Sequence, residues 1–287
     1  MRLGVVGMLP SDFRTITARH LKSVQALELS AACFHASADL LFEVKSDECR
    51  KVKQTYADVE MDLVQFGIGF GECLFHPDAS VRDTVVRKIA RGIEVGRELG
   101  AQNVLIRTGS LNPTGSYNPA RANHTPESME RLIETLRRVA DKADAEGQTI
   151  VIETHVLTIM NSPETNVQVV EAVGSPHIRI VMDYVNHFQM LAQVYDSTAR
   201  INHIFDVMGS VCPVGHCKDI SVGNGFVTHF SEEIPGEGEL DLAVVLQRWH
   251  ELRPDGYLLL EHLPNELFPL AARNTLRIAK EAGIPIH

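Results

Sequence analysis

The chain has 287 residues, 44% of them hydrophobic and 22% charged, which is the make-up of an ordinary globular protein with a sizeable core. Its 27 Lys plus Arg against 37 Asp plus Glu give a net charge of −10, which argues against a nucleic-acid partner needing a basic face. No stretch approaches the ~18 apolar residues of a membrane span, and five cysteines without CxxC spacing or a disulfide-scaffold pattern read as reduced thiols of a cytoplasmic protein.

The opening MRLGVVGMLP has too short an apolar run for a signal peptide, and residues 2–8 read as a first strand. A helix-periodic segment covers about 16–29, a second strand 31–35, a charged amphipathic helix 39–59 and a third strand 63–70. The run Gly67-Ile-Gly-Phe-Gly lacks the G-x-G-x-x-G spacing of a phosphate loop and reads as room left at a barrel mouth, or as a bulge. Residues 81–99 form a strongly periodic helix closed by Gly100, and 103–108 a fourth strand with Arg107 near its end. A Gly, Pro and Asn-rich loop leads to Thr125-Pro126, an N-cap and first helical position, and Gly147 closes that helix. The fifth strand is 149–155, and a helix opened by Ser162-Pro163 ends near Gly174. The sixth strand is 178–183, followed by one helix over 191–208 and a seventh strand over 211–218. Residues 219–240 read as loop, 241–252 as a helix, 256–262 as the eighth strand and 269–282 as the last helix. Eight strands alternating with eight helices imply a parallel α/β architecture, and the count favours a closed (β/α)8 TIM barrel, one domain over 1–287.

Four of these strands carry a potential metal ligand at the same end. Alternate strand residues share a face, so Val151, Glu153 and His155 point one way, as do Val181 and Asp183, Val214, His216 and Lys218, and Tyr257, Leu259 and Glu261. Glu153 and Asp183 are 30 positions apart, and Asp183 and His216 are 33 apart, close to one βα unit. A barrel would gather Glu153, Asp183, His216 and Glu261 at its C-terminal mouth. Two Glu, one Asp and one His suit one divalent ion, Mn²⁺ best, with Mg²⁺, Co²⁺ or Zn²⁺ as alternatives. Such an ion leaves positions for a chelating substrate, polarises a carbonyl and stabilises an enediolate, while Glu153 and Glu261 can move a proton. His155, Asn186, His187, Lys218 and Arg107 are the candidate substrate contacts around that mouth.

Plainer readings exist for each residue. A strand-end Glu can be half of an internal ion pair with Lys218 or Arg107, and His216 can be a hydrogen-bonded core histidine. The quartet as a whole can be a structural metal site or an ion-pair core in a scaffold protein. Lys218 can also be a Schiff-base nucleophile in an aldolase.

The motifs TIVIETH, IVMDYVNH, HCKD, IPGEGELD and LLLEH, with FHPDASVRDTVVRKIARGIEVGRELGAQNVLIRTG before them, resemble the xylose isomerase-like sugar isomerase/epimerase barrels, which include ketose 3-epimerases. The resemblance covers most of the chain. It implies a metal held by Glu153, Asp183, His216 and Glu261, proton transfer by Glu153 and Glu261, a small sugar or polyol substrate, and assembly as a dimer or tetramer. The chain departs from the 3-epimerases at Asn186, where they carry His, and in having Lys218 and His229 as the cations nearest the place of their Arg. The same superfamily looks like the home of lyases acting on 3-oxo sugars, namely C-glycoside deglycosidases and inosose dehydratases. These remain the alternative to isomerisation or epimerisation.

Overall fold

Short β-branched and apolar runs alternate with capped helices along the chain, and the computed structural model, which describes residues 1–287, closes them into a barrel. The strands are β1 (Arg2–Val6), β2 (Ala31–Ser37), β3 (Gln65–Gly69), β4 (Asn103–Arg107), β5 (Thr149–Glu153), β6 (Ile178–Met182) and β7 (Val214–Cys217). A hairpin of β8 (Asp219–Val222) and β9 (Phe230–Glu233) follows, and β10 (Tyr257–Leu260) completes the barrel. All barrel pairings are parallel, and β1 bonds both β2 and β10, so no edge is left open.

The surrounding helices are α1 (Ala18–Gln25), α2 (Ala38–Glu43), α3 (Ser46–Val59), α4 (Ala79–Leu99), α5 (Pro126–Glu146), α6 (Pro163–Val173), α7 (Leu191–Tyr195), α8 (Ser197–Met208), α9 (Leu242–Leu252) and α10 (Phe268–Glu281). Local chemistry fixes several of their ends. Thr125 and Ser162 accept from the backbone N–H groups of Ser128 and Thr165 just ahead of Pro126 and Pro163, caps that contribute about 1 kcal/mol each. Gly100 and Gly147 close α4 and α5 at φ 76° and 64°, a left-handed conformation that a Cβ would strain.

The alternation decides which residues reach the site. Val151, Val181, Val214, Tyr257 and Leu259 belong to a cluster of ten buried apolar residues inside the barrel. Ile150, Ile152, Ile180 and Leu258 join the larger cluster between barrel and helices. The next inward position beyond Val151, Val181, Val214 and Leu259 is Glu153, Asp183, His216 and Glu261 respectively, so the barrel packing aims all four at one mouth. No helix is long and apolar enough to cross a membrane.

Three expectations from the sequence need correction. The helix expected over 39–59 is two helices, because Val44 is extended (φ −69°, ψ 134°) and the Lys45 N–H is taken by Glu48 to start α3. The helix expected over 191–208 breaks at Asp196, whose carboxylate accepts from Ala199 N–H and starts α8 anew. The loop expected over 219–240 contains the β8–β9 hairpin. Asp219 anchors its base by accepting from the N–H groups of Ile220, Gly236, Gly238 and Leu240.

Candidate metal centre and active site

Glu153 ends β5, Asp183 follows β6, His216 lies in β7 and Glu261 follows β10. Each is buried and offers one ligand atom, and the four atoms lie within 4.8 Å of one another. His216 is oriented from behind by Gln65 of β3, whose Oε1 lies 3.1 Å from its Nε2. With Nε2–H donating to that amide oxygen, Nδ1 is turned to the carboxylates, 2.9 Å from Glu261 Oε1 and 3.3 Å from Asp183 Oδ2. A nitrogen lone pair facing two carboxylate oxygens requires a cation between them, a proton or a metal. Burial disfavours the imidazolium, yet Glu261 and Asp183 outweigh it and lift His216 to about 9. Asp183 Oδ1 is buried without a hydrogen-bond partner. An orphaned carboxylate oxygen beside an anion-facing imidazole fits a divalent ion, and the oxygen-rich donor set suits Mn²⁺ or Mg²⁺.

Two permanent cations flank the quartet. Lys218 Nζ sits 2.8 Å from Asp183 Oδ2, 2.7 Å from Glu261 Oε1 and 3.2 Å from His262 Nδ1. Burial works against its charge, but Asp183 and Glu261 hold its pKa well above the ordinary value. In return, burial raises the carboxyl pKa of Asp183 while Lys218 and His216 pull it down further; His216 and Lys218 do the same for Glu261. On the other side, Arg107 Nε donates to Glu153 Oε2 at 2.7 Å, and its guanidinium lies 4.5 Å from the centre of the Tyr117 ring. His262, next to Glu261, adopts φ 58°, a strained conformation for a residue with a Cβ. Its Nδ1 is held 3.0 Å from Glu232 Oε1 on β9.

A cleft of about 740 Å³ opens beside the quartet, and Glu153 is the member that lines it. Of the candidate substrate contacts, Arg107, His155 and Asn186 line it. Asn186 also donates to Asp183 Oδ2 at 2.8 Å. The other two do not line it. Lys218 is buried among the carboxylates, which favour its ammonium form. His187 is packed behind the strands, its Nε2 3.2 Å from Thr154 Oγ1 and 3.3 Å from Asn166 Nδ2. β5 ends at Glu153, so His155, expected as the last inward residue of that strand, lies beyond it at the cleft wall.

The sequence reading missed Gln65, Tyr117 and the β9 residues Phe230 and Glu232, of which all but Gln65 line the cleft. Gln65 carried a signal, a polar residue opening an otherwise apolar and glycine strand. Tyr117 sits in an aperiodic loop and carried none.

Comparison with known proteins bears on the fold and the family. An inosose isomerase of Bacillus velezensis is 26% identical over 159 residues, and the match spans about half of each chain, 54% of this one and 54% of the relative. A D-psicose 3-epimerase determined in the presence of D-fructose superposes with a TM-score of 0.73 at 15% identity, over 98% of this chain and 99% of that one. A 3-keto-D-glucoside 4-epimerase from E. coli superposes with a TM-score of 0.71 at 12% identity, again over 98% and 99%. At these identities the structures establish a shared fold. Residues 24–282 match the model of the family described as xylose isomerase-like TIM barrel, and the chain belongs to that family.

Proposed function

We propose that the chain is a divalent-metal-dependent enzyme that moves a proton next to a carbonyl of a small sugar or polyol, as an isomerase or epimerase. The observation that carries the reading is the buried quartet Glu153, Asp183, His216 and Glu261, converging within 4.8 Å beside an open cleft. These four residues would hold the ion, Mn²⁺ by their donor set, and the ion supplies a Lewis acid that polarises the carbonyl. Glu153 and Glu261 take and return the proton from β5 and β10. Lys218 keeps Asp183 and Glu261 ionised, Gln65 fixes the His216 tautomer, and Arg107 orients Glu153. The names of the relatives, an isomerase of inosose and an epimerase of psicose, support the substrate class.

One observation favours a second reading, elimination from a 3-oxo sugar. His155 lines the same cleft as Glu153, which sets a candidate acid for the leaving group beside a candidate base. Incubation of Mn²⁺-loaded protein with ketoses and 3-oxo glycosides in D₂O separates the two. Deuterium beside the carbonyl with an intact skeleton supports isomerisation or epimerisation, and release of water or an aglycone supports elimination. A metal-loaded protein that does neither across the panel overturns both.

A further inference from the structure

The glycine run at the end of β3 is not explained by the metal centre. At Gly67 a Cβ would lie 1.8 Å from His35 Cδ2, so this glycine makes room for the His35 ring at the end of β2. At Gly71 a Cβ would meet nothing within 4 Å. The open space there belongs to a second chamber of about 730 Å³, lined among others by Ser11, His35, Ser37, Asp39, Phe70 and Lys88. It lies over the ends of β2 and β3, on the opposite part of the mouth from the quartet. Between the two chambers lies a narrow, neck-like cavity of about 40 Å³, whose lining has Arg107 and Tyr117 in common with the first and Gly69 and Phe70 in common with the second. From β5 to β2 along the rim is three strand spacings, roughly 14 Å, which one monosaccharide cannot span.

The lining decides what fits. Lys88 is neutralised by Glu72 at 2.5 Å, with Asp39 at 3.9 Å, so the chamber offers no free cation to a phosphate or carboxylate. Ser11, Ser37 and Asp39 offer donors and acceptors, the His35 ring forms part of the wall, and half-buried Phe70 offers one apolar face. Polar groups spread around one aromatic face suit an uncharged, polyhydroxylated ring. We propose that this chamber is a subsite for a second sugar unit, so that the substrate is a disaccharide or other glycoside whose reacting ring lies over the quartet and whose second ring passes the Arg107–Tyr117 neck. The proposal rests on the sugar reading above and names its substrate class.

Calorimetric titration of the Mn²⁺-loaded protein tests it. The probes are D-fructose, its 3-, 5- and 6-linked glucosyl derivatives, 6-O-benzyl-D-fructose and D-fructose 6-phosphate. At least one glucosyl-fructose is expected to bind ten or more times tighter than fructose, and Gly71→Trp, which fills the chamber, is expected to bring that ratio near one. Equal affinity of fructose and all three disaccharides overturns the subsite while leaving the sugar reading intact. So does a ratio that Gly71→Trp leaves unchanged. Tightest binding of the benzyl or phosphate probe overturns the assignment to a sugar ring. Binding of no probe overturns the sugar reading and the subsite together.

Discussion

Arg107 Nε donates to Glu153 Oε2 across adjacent strands β4 and β5, at 2.7 Å, with the two residues in direct register. The carboxylate is buried and the guanidinium is one-third exposed, with Tyr117 on its face. A carboxylate held this way has one oxygen fixed by a planar donor, which sets the orientation of the group. Arg107→Met is therefore expected to weaken Mn²⁺ affinity or turnover by about 10–100-fold, the usual cost of losing such an outer partner. Metal titration and steady-state kinetics on the same variant check this. Arg107→Lys should restore charge without the fork and recover only part of the loss. Wild-type values in Arg107→Met would show that the pair merely covers the rim.

Gln65 holds His216 from the side away from the carboxylates. Gln65→Leu leaves His216 Nε2–H buried without an acceptor, an expected loss of about 1–3 kcal/mol in stability. It also frees the tautomer, so Mn²⁺ affinity should fall about 10–100-fold. Mn²⁺ titration followed by electron paramagnetic resonance, beside urea unfolding, measures both. Destabilisation with unchanged metal affinity would show that Gln65 supports the fold alone.

The two supporting residues differ in how readable they were. The barrel was legible because apolar strand runs alternate with capped helices, and the convergence of Glu153, Asp183, His216 and Glu261 because each extends a strand's inward positions by one step. Arg107 was legible for the same reason, as a charge near a strand end. Gln65 stands at the start of its strand and reaches His216 only because β3 lies across the barrel from β7, a relation that exists after closure. The β8–β9 hairpin was hidden because its four-residue strands carry no sustained alternation, and its stability comes from Asp219 gathering backbone N–H groups from both sides of it. His187 was misplaced for a related reason. Its distance from Asp183 in sequence suggested the mouth, but a turn of 3₁₀ helix over Tyr184–His187 swings it behind the strands.

Lys218 gives a prediction that depends on the metal. Its ammonium is buried between Asp183 and Glu261, and removing one partner of such a cluster typically costs about 3–5 kcal/mol because the remaining charges are left uncompensated. A bound dication supplies the missing positive charge. Lys218→Met should therefore lose much more stability in chelator than in excess Mn²⁺, seen as a widened gap between the two melting temperatures. An equal loss under both conditions would mean that packing of the lysine stem, not its charge, is what matters.

His187 sets an acid limit on stability. Its ring is fully buried among Thr154, Asn166 and Arg200, whose guanidinium donates to the His187 carbonyl. Burial is the main cause that lowers its pKa to about 4; Asp183 opposes this, Arg200 and His155 add to it, and Glu164 opposes it. The unfolded chain has an ordinary imidazole near ~6.5. Between those values the unfolded state binds the extra proton, so stability rises with pH in that window and is lost as pH falls from about 6.5 toward 4. The contribution is on the order of 3 kcal/mol, fully present above the unfolded value. Replacing the ring by the uncharged amide in His187→Gln removes this titration. Urea unfolding in chelator, from pH 7.5 down to 4.5, should then show a shallower acid decline in the variant than in the wild type, with the two curves converging as the pH drops. Parallel curves would mean that the ring takes up its proton in the fold as readily as in the unfolded chain, and that acid loss of the barrel comes from its carboxylates instead.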